Sequence, residues 1–208
     1  MITGKEALER LREGNKRFVS NVGGGQVQLH STRPAELNQP HQPLAIVLGC
    51  SDARVPAEIV FDQGLGDLFV IRVAGNIVAP SQVGSIEFAA SMFGTRLVVV
   101  LGHTQCGAIQ ATIAELQQPV ANQSLNLRAI VDRVRPCVEG LLKTDLRHDM
   151  AALSTRAERD NVRASVNKLR HGSTILEQLI SDEGLLIVGA EYSVETGRVE
   201  FFDGVDIA

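Results

Sequence analysis

The first group of residues suited to chemistry is Cys50, Asp52 and Arg54, which follows the apolar segment 44–49. A thiol and a carboxylate two residues apart leave the same side of an extended chain, because side-chain direction alternates with a period of two. Thiolate is a strong zinc ligand, and carboxylate is an acceptable one. The planar guanidinium of Arg54 can hold the Asp52 carboxylate through two hydrogen bonds.

The second group is His103 and Cys106, which follows another apolar segment, residues 97–101. We expect the chain to turn from strand into helix here, so that ligands three residues apart converge on one point. Neighbouring parallel strands end at the same edge of a sheet, where ligands of such folds bind. The two groups can therefore meet and form a zinc site, with thiolate and imidazole as its strong ligands.

Each group alone has an ordinary structural interpretation, since a cysteine that ends an apolar strand is usually a small buried hydrophobe. A purely structural zinc site is a second alternative, but such sites are typically closed by four Cys or His ligands. Here the fourth candidate is Asp52, with Arg54 two residues further on. If Arg54 draws this carboxylate away from the metal, a water molecule can bind to the zinc in its place. Zinc lowers the pKa of a bound water toward neutrality. The sequence thus favours an openable, catalytic site.

The amino-acid composition argues against several classes of function. The chain has 208 residues, 44% of them hydrophobic, which suits one domain with a well-developed core. The net charge is −4 and no basic stripe is present, so we expect no nucleic-acid partner. No apolar run is long enough to span a bilayer, and we expect no membrane partner. Residues 1–17 lack the apolar region of a secretory signal, which leads us to expect a cytoplasmic location.

Strand and helix patterns alternate along the chain, and Thr3 and Glu6 form a capping-box pattern before the first helix. We further expect Ser81 to cap the third helix. The predicted helices are 4–19, 57–61, 82–93, 107–117, 123–142 and 155–181. The predicted strands are 44–49, 68–71, 97–101, 185–188 and 198–202.

Continuous apolar strands that alternate with helices predict an α/β fold. We expect a central, mostly parallel sheet of four strands plus an edge strand, with helices on both faces. The chain is interpreted as a single domain, 1–208, with an N-terminal helical arm and linker over 1–25 and a core over 43–208. The amphipathic arm is expected to pack on another subunit rather than on its own core.

The paired motifs resemble those of the beta-class carbonic anhydrases, which carry Cys-x-Asp-x-Arg followed by His-x-x-Cys. The similarity is strongest over about 43–113, and it includes residues 67–72 and 84–88. The resemblance implies reversible hydration of carbon dioxide to bicarbonate and a proton, with Zn²⁺ as cofactor. It implies Cys50, His103 and Cys106 as metal ligands, and Asp52 and Arg54 as the pair that gates and orients the zinc-bound water.

Further residues match positions that contact substrate in that family. The backbone N–H of Gly107, at a helix start, would help to hold a substrate oxygen. Family members commonly have glutamine nine residues before the first ligand cysteine, where this chain has His41 followed by Gln42. Either Gln42 takes over that contact or the contact differs. The positions that line the family's apolar pocket are Phe69, Ala74 and Phe88.

The resemblance also implies self-association as a homodimer or homotetramer, since the pocket of family members is completed across an interface. Two alternative functions remain open. An enzyme on the same scaffold could hydrolyse carbonyl sulfide or carbon disulfide, which are also small, linear and apolar. A catalytically silent, zinc-stabilised module is the other alternative, and the intact Asp52–Arg54 pair argues against it.

Overall fold

Five strands form one sheet in the computed structural model, which describes residues 2–23, 42–119 and 124–205. The strand order is β2-β1-β3-β4-β5; the first four strands are parallel, and β5 is an antiparallel edge strand. This architecture confirms the predicted fold class. The strands are β1 (Ala45–Gly49), β2 (Leu68–Arg72), β3 (Leu97–His103), β4 (Leu186–Tyr192) and β5 (Val199–Asp203).

Both faces of the sheet are covered, which explains why its central strands are apolar without interruption. Every residue of β1 and of β3 is buried. Side chains alternate between the two faces, so that Val47 and Val99 belong to one core cluster and Ile46 and Val98 to the other.

Seven helices surround the sheet within the described residues. The third begins at Pro80, with Ala79 as its N-cap, so the prediction that Ser81 caps this helix is wrong. Proline at a first helical position loses no helical hydrogen bond, which accounts for the earlier start. The helices are α1 (Gly4–Gly23), α2 (Ala57–Val60), α3 (Pro80–Met92), α4 (Gly107–Gln117), α5 (Leu125–Glu139), α6 (Met150–His171) and α7 (Thr174–Glu183).

The single helix predicted over 155–181 is wrong, because the chain breaks between α6 and α7 at Gly172 and Ser173. The Ser173 side chain accepts a hydrogen bond from the Leu176 amide and so caps α7. Both helices place apolar residues on the same face of the sheet, and the apolar periodicity therefore continues across the break.

Helix α1 packs on its own sheet. Its Ala7, Leu8 and Leu11 are buried in the same cluster as Val47 and Val99, so the expectation that the arm packs on another subunit rather than on its own core is wrong for this face. The predicted capping box is present, since the Thr3 amide donates to Glu6 and the Glu6 amide donates to the Thr3 hydroxyl.

None of the helices in the described ranges is long and apolar enough to cross a membrane. The three apolar clusters divide the molecule by position. One lies under α1 and α2, a second lies under α3, α6 and α7, and the third packs around α4, α5 and the loops that follow β1 and β3. The third cluster contains Cys50 and Cys106.

The docking of α1 can be tested at Asn15, which is buried and links three segments. Its amide group donates to the carbonyls of Val60 and Gly197, and its oxygen accepts from the Val199 amide at 2.8 Å. We expect Asn15→Ala to lower the free energy of unfolding by about 3 kcal/mol, because backbone groups lose their partners in a buried position. Urea unfolding measures this.

The matched control is Ser20→Ala, on the exposed side of α1, where the hydroxyl donates to the Lys16 carbonyl of its own helix. We expect this variant to stay within about 0.5 kcal/mol of the parent. Equal stability of the two variants would contradict the docking of α1 on its own sheet.

Candidate metal centre

The two predicted ligand groups meet at the carboxyl edge of the sheet. Strands β1 and β3 are parallel neighbours, and Gly49 pairs with Leu101. Cys50 therefore stands one residue beyond the last pair, beside the end of β3 and its terminal residue His103. The chain then turns and begins α4 directly after Cys106, which is the N-cap residue of that helix.

The three residues predicted as strong ligands form one compact group. Ligating atoms of Cys50, His103 and Cys106 all lie within 4.8 Å of one another, and the two sulfurs are 4.0 Å apart. Two sulfurs at about 2.3 Å from a tetrahedral zinc ion would be roughly 3.8 Å apart, which is close to that separation. All three residues are buried, and both cysteines are free thiols.

The histidine ring is oriented as a metal ligand. Its Nδ1 lies 2.9 Å from the Thr104 carbonyl, to which it donates a hydrogen bond. The lone pair of Nε2 is thereby left for a ligand, and Nε2 is buried without a hydrogen-bond partner among the described residues. An unpartnered nitrogen facing two sulfurs fits a thiophilic ion such as zinc.

Electrostatics within the group also suit a cation. A hydrogen bond from the Cys106 thiol is the main cause that lowers the pKa of Cys50, to about 4. The pKa of Cys106 is raised by this same contact and by burial. Burial works to lower the pKa of His103, but Cys50 and the Thr104 carbonyl raise it above its ordinary value. A divalent cation would favour both thiolates and the neutral ring.

Asp52 and Arg54 form the predicted pair beside this group. Arg54 Nε lies 2.9 Å from Asp52 Oδ1, and its Nη2 lies 2.7 Å from Oδ2. This contact is the main cause that holds the pKa of Asp52 well below its usual range. Asp52 Oδ2 lies 4.0 Å from His103 Nε2, and Arg54 also donates to the Gln105 carbonyl. The arginine thus ties the loop after β1 to the loop after β3.

The loop after β2 completes the surroundings of Cys50. Gly75 donates its amide to the Cys50 sulfur at 3.4 Å and has a φ of 70°, a conformation that favours glycine. A Cβ at this position would lie 3.2 Å from the Ala108 side chain. Arg72 donates to the carbonyls of Cys50 and Asp52, and so fixes the backbone that carries both side chains.

Two of the predicted substrate contacts lie at this edge of the sheet. Gly107 is the first residue of α4, and its amide is among the first of the helix, which no helical carbonyl can accept. Ala74 precedes Gly75 in the short turn that faces Cys50. Their roles in substrate binding stay predictions.

The structure does not bring the other predicted contacts to the metal group of the same chain. Phe69 and Phe88 pack with Phe93 on the α3 side of the sheet, with ring centroids 5.4 to 6.4 Å apart. Gln42 is exposed and lies before β1, whereas Cys50 follows it. The strand between them covers roughly 16 Å. His41 lies outside the described residues.

Sequence reasoning missed polar residues on α6 that contact this region. Glu158 accepts a hydrogen bond from the Cys106 amide, and Asn161 donates one to the Gly75 carbonyl. A signal was present in the sequence, because Glu158, Asn161 and Ser165 follow one another at helical spacing among apolar residues.

Comparison with known proteins identifies the family of the chain. The sequence profile described as carbonic anhydrase matches residues 45–199. A carbonic anhydrase of Mycolicibacterium smegmatis is 39% identical, over 93% of this chain and 91% of the relative. Carbonic anhydrase 2 of Mycobacterium tuberculosis is 37% identical, over 96% of this chain and 93% of the relative.

A solved structure of the tetrameric beta-carbonic anhydrases of Sordaria macrospora has the same fold. Its TM-score is 0.69 at 23% identity, and the match covers 93% of this chain and 89% of that one. The profile and the two mycobacterial relatives span most of the sequence, and the fold agrees with that of the solved structure. The chain therefore belongs to the beta-class carbonic anhydrases and is an enzyme of that family.

Proposed function

We propose that this enzyme binds one Zn²⁺ through Cys50, His103 and Cys106 and catalyses the reversible hydration of carbon dioxide to bicarbonate and a proton. The observation that carries the proposal is the compact, buried group of two sulfurs and one unpartnered imidazole nitrogen. Family membership supports the reaction. When bound, zinc supplies the Lewis acidity that makes a hydroxide-like nucleophile available near neutral pH.

Asp52 and Arg54 are the residues that we assign to orienting the nucleophile. Arg54 engages both oxygens of the carboxylate, so Asp52 is kept ionised and fixed in position. Its Oδ2 points toward the ligand group and can accept a hydrogen bond from the attacking water. Orientation of this kind lowers the barrier, because the reacting atoms are already aligned. Released from Arg54, the same carboxylate could act as the fourth, exchangeable metal ligand.

Two features of the surroundings suit a small apolar substrate that becomes an anion. Ile77 and Ile109 pack in the same cluster as Cys50 and Cys106, so the site adjoins apolar surface. The Gly107 amide, at the N-terminus of α4, is placed where a developing negative charge is favoured. Carbon dioxide is neutral and apolar, so it suits the apolar surface. Bicarbonate is negatively charged, so it suits the amide at the helix N-terminus.

Self-association is part of the proposal. Phe69 and Phe88 match positions that line the family's pocket, and Gln42 is next to the position of the family's substrate-contacting glutamine, but all three lie away from the metal group of their own chain. A second copy could supply them, and the Sordaria macrospora proteins of the same fold are described as tetrameric. We therefore propose a homodimer or homotetramer. The expectation of a cytoplasmic location rests on the sequence alone.

The experiment that tests the function is stopped-flow carbon dioxide hydration, followed by a pH indicator, on zinc-loaded and on chelator-stripped protein. We expect activity that requires the metal and returns when zinc is restored. Parallel assays with carbonyl sulfide and carbon disulfide test the alternative substrates. Hydrolysis of either gas with no carbon dioxide hydration would overturn the proposed reaction.

The ligand assignment predicts the metal content of Cys106→Ser. An alcohol is a far weaker zinc ligand than a thiolate, so we expect this variant to lose stoichiometric zinc and with it activity. Elemental analysis of dialysed protein measures the loss. Cys137→Ser is the matched control, because the third cysteine lies on α5 outside the ligand group, and it should keep one zinc per chain. Full zinc content in Cys106→Ser would show that the ligand set is wrong.

The Asp52–Arg54 pair predicts a loss of rate without a loss of metal. In Asp52→Ala we expect kcat/KM to fall about 100-fold, since the nucleophile is no longer oriented, while zinc stays bound to the three strong ligands. Glu13→Gln, which removes the charge of an exposed ion pair on α1, is the control and should retain full activity. If Asp52→Ala hydrated carbon dioxide at the wild-type rate, the Asp52–Arg54 pair would have no role in the mechanism.

A further inference from the structure

Helix α6 presents a row of polar side chains to the loops after β2 and β3, which adjoin the proposed metal site. Glu158, Asn161 and Ser165 are 4%, 2% and 5% exposed, although their neighbours on the helix include the buried Val162 and Val166. Their spacing of three and four residues places them on one face of the helix. Buried polar side chains are costly unless they are hydrogen-bonded, so the partners of this row are informative.

Glu158 contacts the backbone of a ligand residue. Its Oε1 accepts a hydrogen bond from the Cys106 amide at 2.9 Å, and the Ser154 hydroxyl donates to the same oxygen at 3.2 Å. Cys106 is the N-cap residue of α4, and its own amide is bound by a side chain of a different helix. Glu158 therefore fixes the start of α4, from which the Cys106 sulfur projects into the site.

Asn161 acts on the other thiol through one intermediate residue. Its amide nitrogen donates to the Gly75 carbonyl at 2.8 Å, and the Gly75 amide donates to the Cys50 sulfur at 3.4 Å. Ser165 continues the row by donating to the Asn76 carbonyl at 3.2 Å. The Gly75 backbone therefore bonds on both sides: its carbonyl accepts from Asn161 on α6, and its amide donates to the Cys50 sulfur.

The position of α6 is itself constrained at the sheet. Gly102 directly precedes the ligand His103, and a Cβ at Gly102 would lie only 2.5 Å from Val162 Cγ2. The helix therefore packs against β3 more closely than a larger residue would allow. A helix held at this distance offers a rigid base for the two hydrogen bonds.

We propose that Glu158 and Asn161 are positioning residues, which hold Cys106 and Cys50 at the separation that one zinc ion requires. Neither residue touches the metal or the substrate. The inference rests on the proposed zinc site and adds to it the part of the fold that sets the ligand geometry. Residues that orient metal ligands typically change metal affinity by about 10- to 100-fold when they are removed.

The test is the zinc affinity of Glu158→Ala and Asn161→Leu, measured by competition with a chromophoric chelator. We expect zinc to bind about 10- to 100-fold more weakly in each variant. As a second readout, cobalt(II) replaces zinc, and the near-ultraviolet thiolate-to-cobalt absorption should shift in both variants. If Glu158 and Asn161 only stabilised the fold, the variants would have a lower melting temperature but an unchanged thiolate-to-cobalt absorption.

Glu158→Gln is the conservative variant, because its amide oxygen can still accept the Cys106 N–H, and we expect it to restore affinity to within about threefold. Thr112→Val is the matched control for the loss of a buried hydroxyl; the Thr112 hydroxyl lies on α4 and donates to the Ala108 carbonyl of the same helix. This variant should leave affinity and absorption unchanged. If Glu158→Ala does not fold, Glu158→Asp replaces it, since the shorter side chain withdraws the acceptor, and weaker binding is again expected.

The outcomes separate this inference from the proposed function. Unchanged zinc affinity and cobalt absorption in folded variants of both residues would overturn the positioning roles, even if the wild-type protein binds zinc. An equal loss in Glu158→Gln and Glu158→Ala would also overturn the hydrogen-bond argument for Glu158. Failure of the wild-type protein to bind zinc would instead refute the metal site and the proposed function together.

Discussion

The site depends on the parallel pairing of β1 with β3. This pairing places Cys50, at the end of one strand, beside His103, at the end of the other, although they are distant in sequence. The turn after β3 then returns Cys106 to the same point, with Gln105 at a φ of 59°. A register shift of one residue would move the side chains of a whole strand to the opposite face and separate the sulfurs. The continuous burial of both strands, which opposes such a shift, is therefore a condition for the proposed metal site.

The loops around the site are held by hydrogen bonds between polar side chains and backbone groups, and not by apolar packing alone. Arg72 holds the loop after β1, Arg54 links this loop to the one after β3, and α6 holds the loops after β2 and β3. Such bonds are directional, and in a buried environment a lost partner is costly. A metal site needs this directionality, because ligands that drift by a fraction of an ångström lose affinity.

The strands and the group of residues that could hold a metal ion could be predicted from the sequence, because both depend on local signals. Apolar runs mark β1 and β3, and a thiol or an imidazole at each end has a recognisable chemistry. The break at Gly172–Ser173 was missed because α6 and α7 bury the same side and preserve the periodicity. The side on which α1 packs, and the roles of Glu158 and Asn161, depend on which backbone groups lie opposite after folding. That information is contained in the tertiary structure and not in any single segment.

The central claim is that two sulfurs and one imidazole nitrogen of one chain share a single zinc ion. Zinc K-edge X-ray absorption of the reconstituted protein measures this most directly, because it counts the atoms around the metal by type and distance. The account predicts two sulfur scatterers at about 2.3 Å, together with nitrogen or oxygen scatterers at about 2.0–2.2 Å that include one imidazole. A spectrum without sulfur, or with four sulfurs, would contradict it.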